Sequence, residues 1–207
     1  MKTLVAILAL LLGGCVGMPD TVRPVENFQL ERYLGTWYEI ARLDHSFERG
    51  LSRVSAEYSL REDGGVRVVN RGYNAKTGEW EQAEGKAFFV QDPQTGFLKV
   101  SFFGPFYGAY VIFELDHEGY SHAVVSGPDT SYLWILAREK RLDDALRREL
   151  VAKAAARVPG KLTGEQFIEQ NPEAVNIRLG QGFRHGVLFG RGIEGCAAPG
   201  VHDLGAI

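Results

Sequence analysis

Apolar and polar side chains alternate over much of residues 37–138. The clearest run is Arg53-Val54-Ser55-Ala56-Glu57-Tyr58-Ser59-Leu60-Arg61. It puts Val54, Ala56, Tyr58 and Leu60 on one face and charged or hydroxyl groups on the other. A repeat of two residues is that of a half-buried strand, so this run predicts a strand of fixed register. Asp63-Gly64-Gly65 then turns the chain, and residues 66–73 return with Val66, Val68 and Asn70 on one face, a hairpin pattern. Similar runs follow at 80–90, 97–103, 109–115, 122–126 and 132–138. Between them stand Asp92-Pro93, Gly104-Pro105, His117-Glu118-Gly119 and Gly127-Pro128-Asp129. With residues 37–43 the runs make eight strands. Short strands, tight connections and no αβ alternation predict an all-β sandwich or an antiparallel up-and-down barrel. A barrel of that strand number is just wide enough for side chains or one small ligand.

The period changes after the last strand. Leu142, Leu146, Leu150, Ala154 and Val158 recur at four-residue spacing, with Asp143 and Asp144 near the start and Arg157 near the end. These are the marks of one helix face with charges that complement the helix dipole. Pro159-Gly160 stops it. The segment Tyr132-Leu133-Trp134-Ile135-Leu136 is apolar on both faces. A strand buried twice needs a cover, so the helix is expected to pack outside the barrel against it.

Lys2 followed by the apolar run 4–12 reads as an export signal over residues 1–14, too short to span a bilayer. Residues 15–27, with Pro19 and Pro24, read as a linker, and 28–172 as the domain. Past Asn171-Pro172 the density of glycine predicts a disordered tail over 173–207.

The apolar fraction of 45% suits a globular core, and a net charge of -3 offers no field for nucleic acid. The five histidines are scattered, without a His-Glu-x-x-His pattern, and no Gly-x-Ser-x-Gly elbow occurs. No catalytic residue, metal site or cofactor is therefore expected. A lipid-acting enzyme stays open as an alternative, because fold does not fix function. So does a structural envelope protein whose barrel is filled with side chains.

Leu12-Gly13-Gly14-Cys15 resembles the lipobox of bacterial lipoproteins. The resemblance implies acylation of Cys15 and, with Val16 rather than Asp following it, an outer-membrane destination facing the periplasm. One acyl chain binds only marginally, so several chains on one cysteine give a stable anchor. An acylated Cys15 leaves Cys196 without a partner within the chain.

Gly35-Thr36-Trp37-Tyr38-Glu39 resembles the Gly-x-Trp signature of the lipocalin family, at the opening of its first strand. Gly127-Pro128-Asp129-Thr130-Ser131-Tyr132 stands where the family has its second block, and Arg138 where it has an arginine over the tryptophan. Residues 37–42, 99–108 and 132–136 look like those of bacterial lipocalin lipoproteins, and the likeness covers roughly residues 15–172. It implies an eight-stranded antiparallel up-and-down lipocalin β-barrel with one C-terminal α-helix packed outside. Gly35, Trp37, Asp129, Tyr132 and Arg138 would be its structural signature, with Trp37 plugging the closed end beneath Arg138.

In such a cup the one-face positions are candidate ligand contacts: Glu39, Ala41, Ala56, Tyr58, Val68, Asn70, Phe102, Tyr110 and Ile112, with Val54, Val66 and Val100 beside them. Each could equally be filled core. The resemblance implies fatty acid or lysophospholipid as ligand. Burying a sixteen-carbon chain is worth at most about 12 kcal/mol from water, most of which a bilayer already provides. Single-chain lipids leave bilayers more easily, and one narrow barrel suits one chain. Lysophospholipid is therefore expected ahead of fatty acid. Glu39 would either meet a cationic head group, be protonated by burial, or sit solvated at the rim. The resemblance also implies a homodimer. The aromatic segment Phe102-Phe103-Gly104-Pro105-Phe106-Tyr107 suits either such an interface or a barrel mouth that dips into a membrane.

Overall fold

A computed structural model describes residues 16–157 and 167–170. The signal at 1–14, Cys15 and the tail at 173–207 lie outside the described residues. A helical turn, α1 (Leu30–Tyr33), leads into eight strands: β1 (Gly35–Leu43), β2 (Leu51–Leu60), β3 (Val66–Asn74), β4 (Glu79–Phe89), β5 (Phe97–Ser101), β6 (Gly108–Leu115), β7 (His122–Ser126) and β8 (Leu133–Ala137). A helix α2 (Asp144–Ala155) and a short strand β9 (Phe167–Glu169) follow. Each strand pairs antiparallel with the next, and β1 pairs with both β8 and β2, which closes the barrel. This is the expected up-and-down barrel with one helix outside.

The Gly64-Gly65 turn and the alternation on β2 and β3 set a long, regular ladder, from Ser55↔Arg71 to Leu60↔Val66. β1 leaves β2 early: their pairing spans only Gly35↔Tyr58 to Tyr38↔Ser55. β9 occupies the gap, pairing Ala41↔Glu169 to Leu43↔Phe167. Gln170 N donates to Ile40 O, and Arg53 N donates to Gln170 O. A three-residue strand is too short to show alternation, so β9 was not legible in the sequence.

Two cores result. The inner one, inside the barrel, holds Trp37, Ala56, Tyr58, Val68, Ile112 and Leu136. The outer one holds Leu133, Ile135 and Ala137 of β8 against Leu150 and Ala154 of α2. β8 is thus apolar on both faces because α2 covers it. Asp143 caps α2, accepting from Ala145 N (3.0 Å) and Leu146 N (2.9 Å), a contact of about 1 kcal/mol. The segment read as a linker lies against the barrel: Val22 is buried, and Val25 N donates to Ile112 O at 2.8 Å.

Candidate functional site

The closed end is built around Trp37. Its indole is fully buried, Nε1 donates to Tyr33 O (2.7 Å), and the Tyr33 ring stacks on it at 4.6 Å. The Arg138 guanidinium lies 4.1 Å from the Trp37 ring centroid. Its nitrogens donate to the carbonyls of Thr36 (2.8 Å), Arg32 (2.7 Å) and Leu34 (2.9 Å). A cation–π contact and three carbonyls thereby fix α1 and the start of β1 across the barrel floor. Gly35 enters β1 at φ +92, a conformation glycine adopts without strain. Asp129 Oδ1 accepts from Ser131 N (2.8 Å) and Tyr132 N donates to Asp129 O, which shapes the turn into β8.

Above the floor lies a cavity of about 90 Å³. A water molecule needs only about 10–15 Å³, so side chains do not fill the barrel. Of the residues proposed from the sequence as ligand contacts, Glu39, Ala56, Tyr58, Val68, Asn70, Phe102 and Tyr110 line it. Val54, Val66 and Val100 do so as well.

Ala41 does not. β1 carries a bulge: Glu39 pairs with Leu136, but Ala41, two residues on, pairs with the adjacent Ile135. Ile40 and Ala41 therefore both face the outer core with Ile135, and strict alternation fails at this point. Ile112 is also corrected. It belongs to the inner core with Tyr120, Ala123 and Val125 but is not among the residues that line the cavity.

Sequence reading missed Phe28, Leu30 and Tyr33 at the floor, Ala87 and Leu98 on β4 and β5, Trp134 and Leu136 on β8, and Phe47 and Glu48 in the β1–β2 connection. The spacing of Leu30, Tyr33 and Leu34 carries a helical signal for α1. A loop residue such as Glu48 carries none.

Two polar features interrupt the apolar wall. Tyr110 Oη lies 2.8 Å from Tyr33 Oη and 2.8 Å from Tyr58 Oη. Burial pushes all three hydroxyls well above their ordinary values, so they stay neutral. The second feature is a buried charge cluster. Arg42 Nη1 donates to Glu39 Oε1 at 2.7 Å, and Nη2 donates to Glu48 O (2.7 Å) and Leu51 O (3.1 Å). Glu48 Oε2 accepts from Trp134 Nε1 at 3.0 Å and lies 3.2 Å from His45 Nε2. The same guanidinium lies near a second carboxylate, its Nε 4.0 Å from Glu48 Oε2. Burial and the charge of Glu48 outweigh Arg42, and the Glu39 carboxyl is pushed up from 4.5 to about 8. Asn70 Oδ1 is buried with no hydrogen-bond partner among the described residues. No group of three or more metal-ligating side chains occurs among the described residues.

Known proteins place this geometry. The model of the lipocalin-like domain matches residues 28–160. Outer membrane lipoprotein Blc of Vibrio cholerae is 58% identical over 149 residues, covering 72% of this chain and 87% of the relative. Its namesake from Escherichia coli K12 is 57% identical over 136 residues, covering 66% and 76%. Among solved structures, insecticyanin from the tobacco hornworm Manduca sexta superposes with a TM-score of 0.57 at 24% identity, covering 74% of this chain and 86% of that one. The last likeness speaks to the fold alone.

Proposed function

Since the chain belongs to the lipocalin-like domain family, we propose that it is an outer-membrane-anchored carrier that holds one single-chain lipid in its barrel, lysophospholipid ahead of fatty acid. The carrying observation is the unfilled cavity, whose walls are apolar apart from the tyrosine hydroxyls, Asn70 and the Glu39–Glu48 pair. An acyl chain gains about 0.8 kcal/mol per buried methylene from such walls.

The polar groups favour one head group over another. Glu48 and the unpartnered Asn70 Oδ1 offer acceptors, and Arg42 is already engaged by Glu39 Oε1 and by the backbone carbonyls of Glu48 and Leu51. A fatty-acid carboxylate here would add a third acid, whereas an ammonium-bearing head group supplies donors. Anchoring through acylated Cys15, facing the periplasm, is supported by the lipobox and by relatives named outer membrane lipoproteins. The reading is a binding protein, with no catalytic residues assigned. An unfilled barrel argues against a purely structural role.

The test is titration of the chain from Val16 onward with lysophosphatidylethanolamine and with palmitate, followed by fluorescence of Trp134 on the cavity wall. Saturable binding with the lysophospholipid tighter supports the proposal. Palmitate binding as tightly as the lysophospholipid removes the head-group preference, and no saturable change with either removes the carrier reading.

A further inference from the structure

Tyr33, Tyr58 and Tyr110 line the cavity, and their hydroxyls form a line of two contacts with Tyr110 at the centre, each of 2.8 Å. No other hydrogen bond reaches these three hydroxyls among the described residues. Burial keeps all three protonated. Three hydroxyls bring three protons, and two contacts use two of them. Whichever way the donors point, one proton is left without an acceptor among the described residues. A buried donor left unmet costs free energy, so the wall favours a ligand atom that accepts there. The hydroxyls lie toward the floor, since Tyr33 stacks on Trp37 and Tyr58 pairs with Gly35 at the start of β1. Glu48 joins the wall from the connection at the other end of β1. The cavity thus has a donor pole toward its floor and an acceptor pole at Glu48 and Asn70.

We propose that the Tyr33–Tyr110–Tyr58 line is a subsite for a hydroxyl group on the ligand's acyl chain, so that the barrel selects hydroxylated chains over plain ones. The subsite rests on the carrier reading and narrows its ligand class. A hydroxyl fits because it accepts the spare proton and gives its own to a lone pair of a tyrosine oxygen. A plain alkyl chain offers no acceptor and leaves the donor unmet. A carboxylate fits poorly, because Glu48 and Glu39 place negative charge around Tyr58, ahead of the opposite effect of Arg138. With the head group at Glu48 and Asn70, the chain runs toward the floor. The hydroxyl therefore belongs in the half of the chain nearer its methyl end.

The chain from Val16 onward contains every described strand, helix and core residue. It is titrated with palmitoyl lysophosphatidylethanolamine and with a series in which the same chain carries one hydroxyl, moved from the ester end to the methyl end. A hydroxyl in the methyl-end half should tighten binding about three- to tenfold over the plain chain, the range of one hydrogen bond. A hydroxyl beside the ester should gain less. Single exchanges do not test the subsite, because Tyr110→Phe frees a second proton instead of removing the first. The triple variant Tyr33→Phe, Tyr58→Phe, Tyr110→Phe removes all three hydroxyls and strands none, so it should fold and bind the plain chain more tightly than the hydroxylated ones. If it unfolds, the ranking by the native chain decides alone. A native chain that binds the plain lipid as tightly as every hydroxylated one, or more tightly, overturns the proposal, since water then meets the spare proton. So does a preference that the triple variant retains. Saturable binding with the plain chain ahead counts against the subsite alone, whereas no saturable binding of any of these lipids removes the carrier reading and the subsite with it.

Discussion

Arg42 Nη1 donates to Glu39 Oε1 at 2.7 Å, with both side chains buried, although the two residues stand three apart on one strand. A regular strand sends residues at odd spacing to opposite faces. The bulge at Ile40 and Ala41 removes that conflict. Beyond it Arg42 pairs with Trp134, a residue of the cavity wall, and so shares the inner face with Glu39. A single inserted residue therefore creates the polar pole of the cavity.

This pole makes stability depend on pH. Glu39 holds its proton up to about 8 in the folded chain and only to 4.5 when unfolded. The folded state binds more protons in between, so stability is full below the lower value and falls as pH rises through the upper one. Glu39→Gln keeps an acceptor for Arg42 and removes the titration. Urea unfolding across this window should show a flatter pH profile for the variant, and parallel profiles would refute the assignment.

Arg138 should not tolerate conservative exchange. Lysine keeps the charge but cannot serve Thr36, Arg32 and Leu34 at once while lying over Trp37. Arg138→Lys is expected to lower unfolding free energy by about 1–2 kcal/mol, and Arg138→Ala by about 2–4 kcal/mol. A lysine variant as stable as the native chain would show that the carbonyl contacts contribute little.

Gly85 makes room for a wall residue. A Cβ there would meet Phe102 Cδ1 at 2.8 Å and the Ser101 carbonyl at 2.8 Å. Gly85→Ala must displace one of them, at a cost of about 1–3 kcal/mol. Because Phe102 lines the cavity, lipid affinity should change together with stability. A change in thermal midpoint with unaltered affinity would place Phe102 outside the ligand contacts.

Tyr110 joins the other two hydroxyls. Tyr110→Phe leaves Tyr33 and Tyr58 Oη without this partner and should cost about 1–3 kcal/mol. Denaturant unfolding of the single variant against Tyr58→Phe, which removes only one of the two contacts, checks the ranking.

Much of this was legible in the chain because strand alternation reports burial directly. The inward faces of β2 and β3, the α2 stripe under its Asp143 cap, and the double burial of β8 all follow from one residue's exposure at a time. What escaped depends on relations between segments. The bulge that turns Ala41 outward is a mismatch with β8 and leaves no trace in the local pattern. Ile112 faces inward as alternation requires, but its place among the other inner-core residues, which the local pattern does not report, keeps it off the cavity wall. Glu48 reaches the cavity from a loop, positioned by Trp134 and Arg42, far away and near in sequence respectively.

The central claim is that the barrel carries a single-chain lipid, and native mass spectrometry of the purified chain tests it most directly. One lysophospholipid per protein is predicted, lost in Ala56→Phe, where a ring takes up the space that the small wall residue leaves open. A native chain that shows only its own mass, and still does so after incubation with lysophosphatidylethanolamine, would contradict the account.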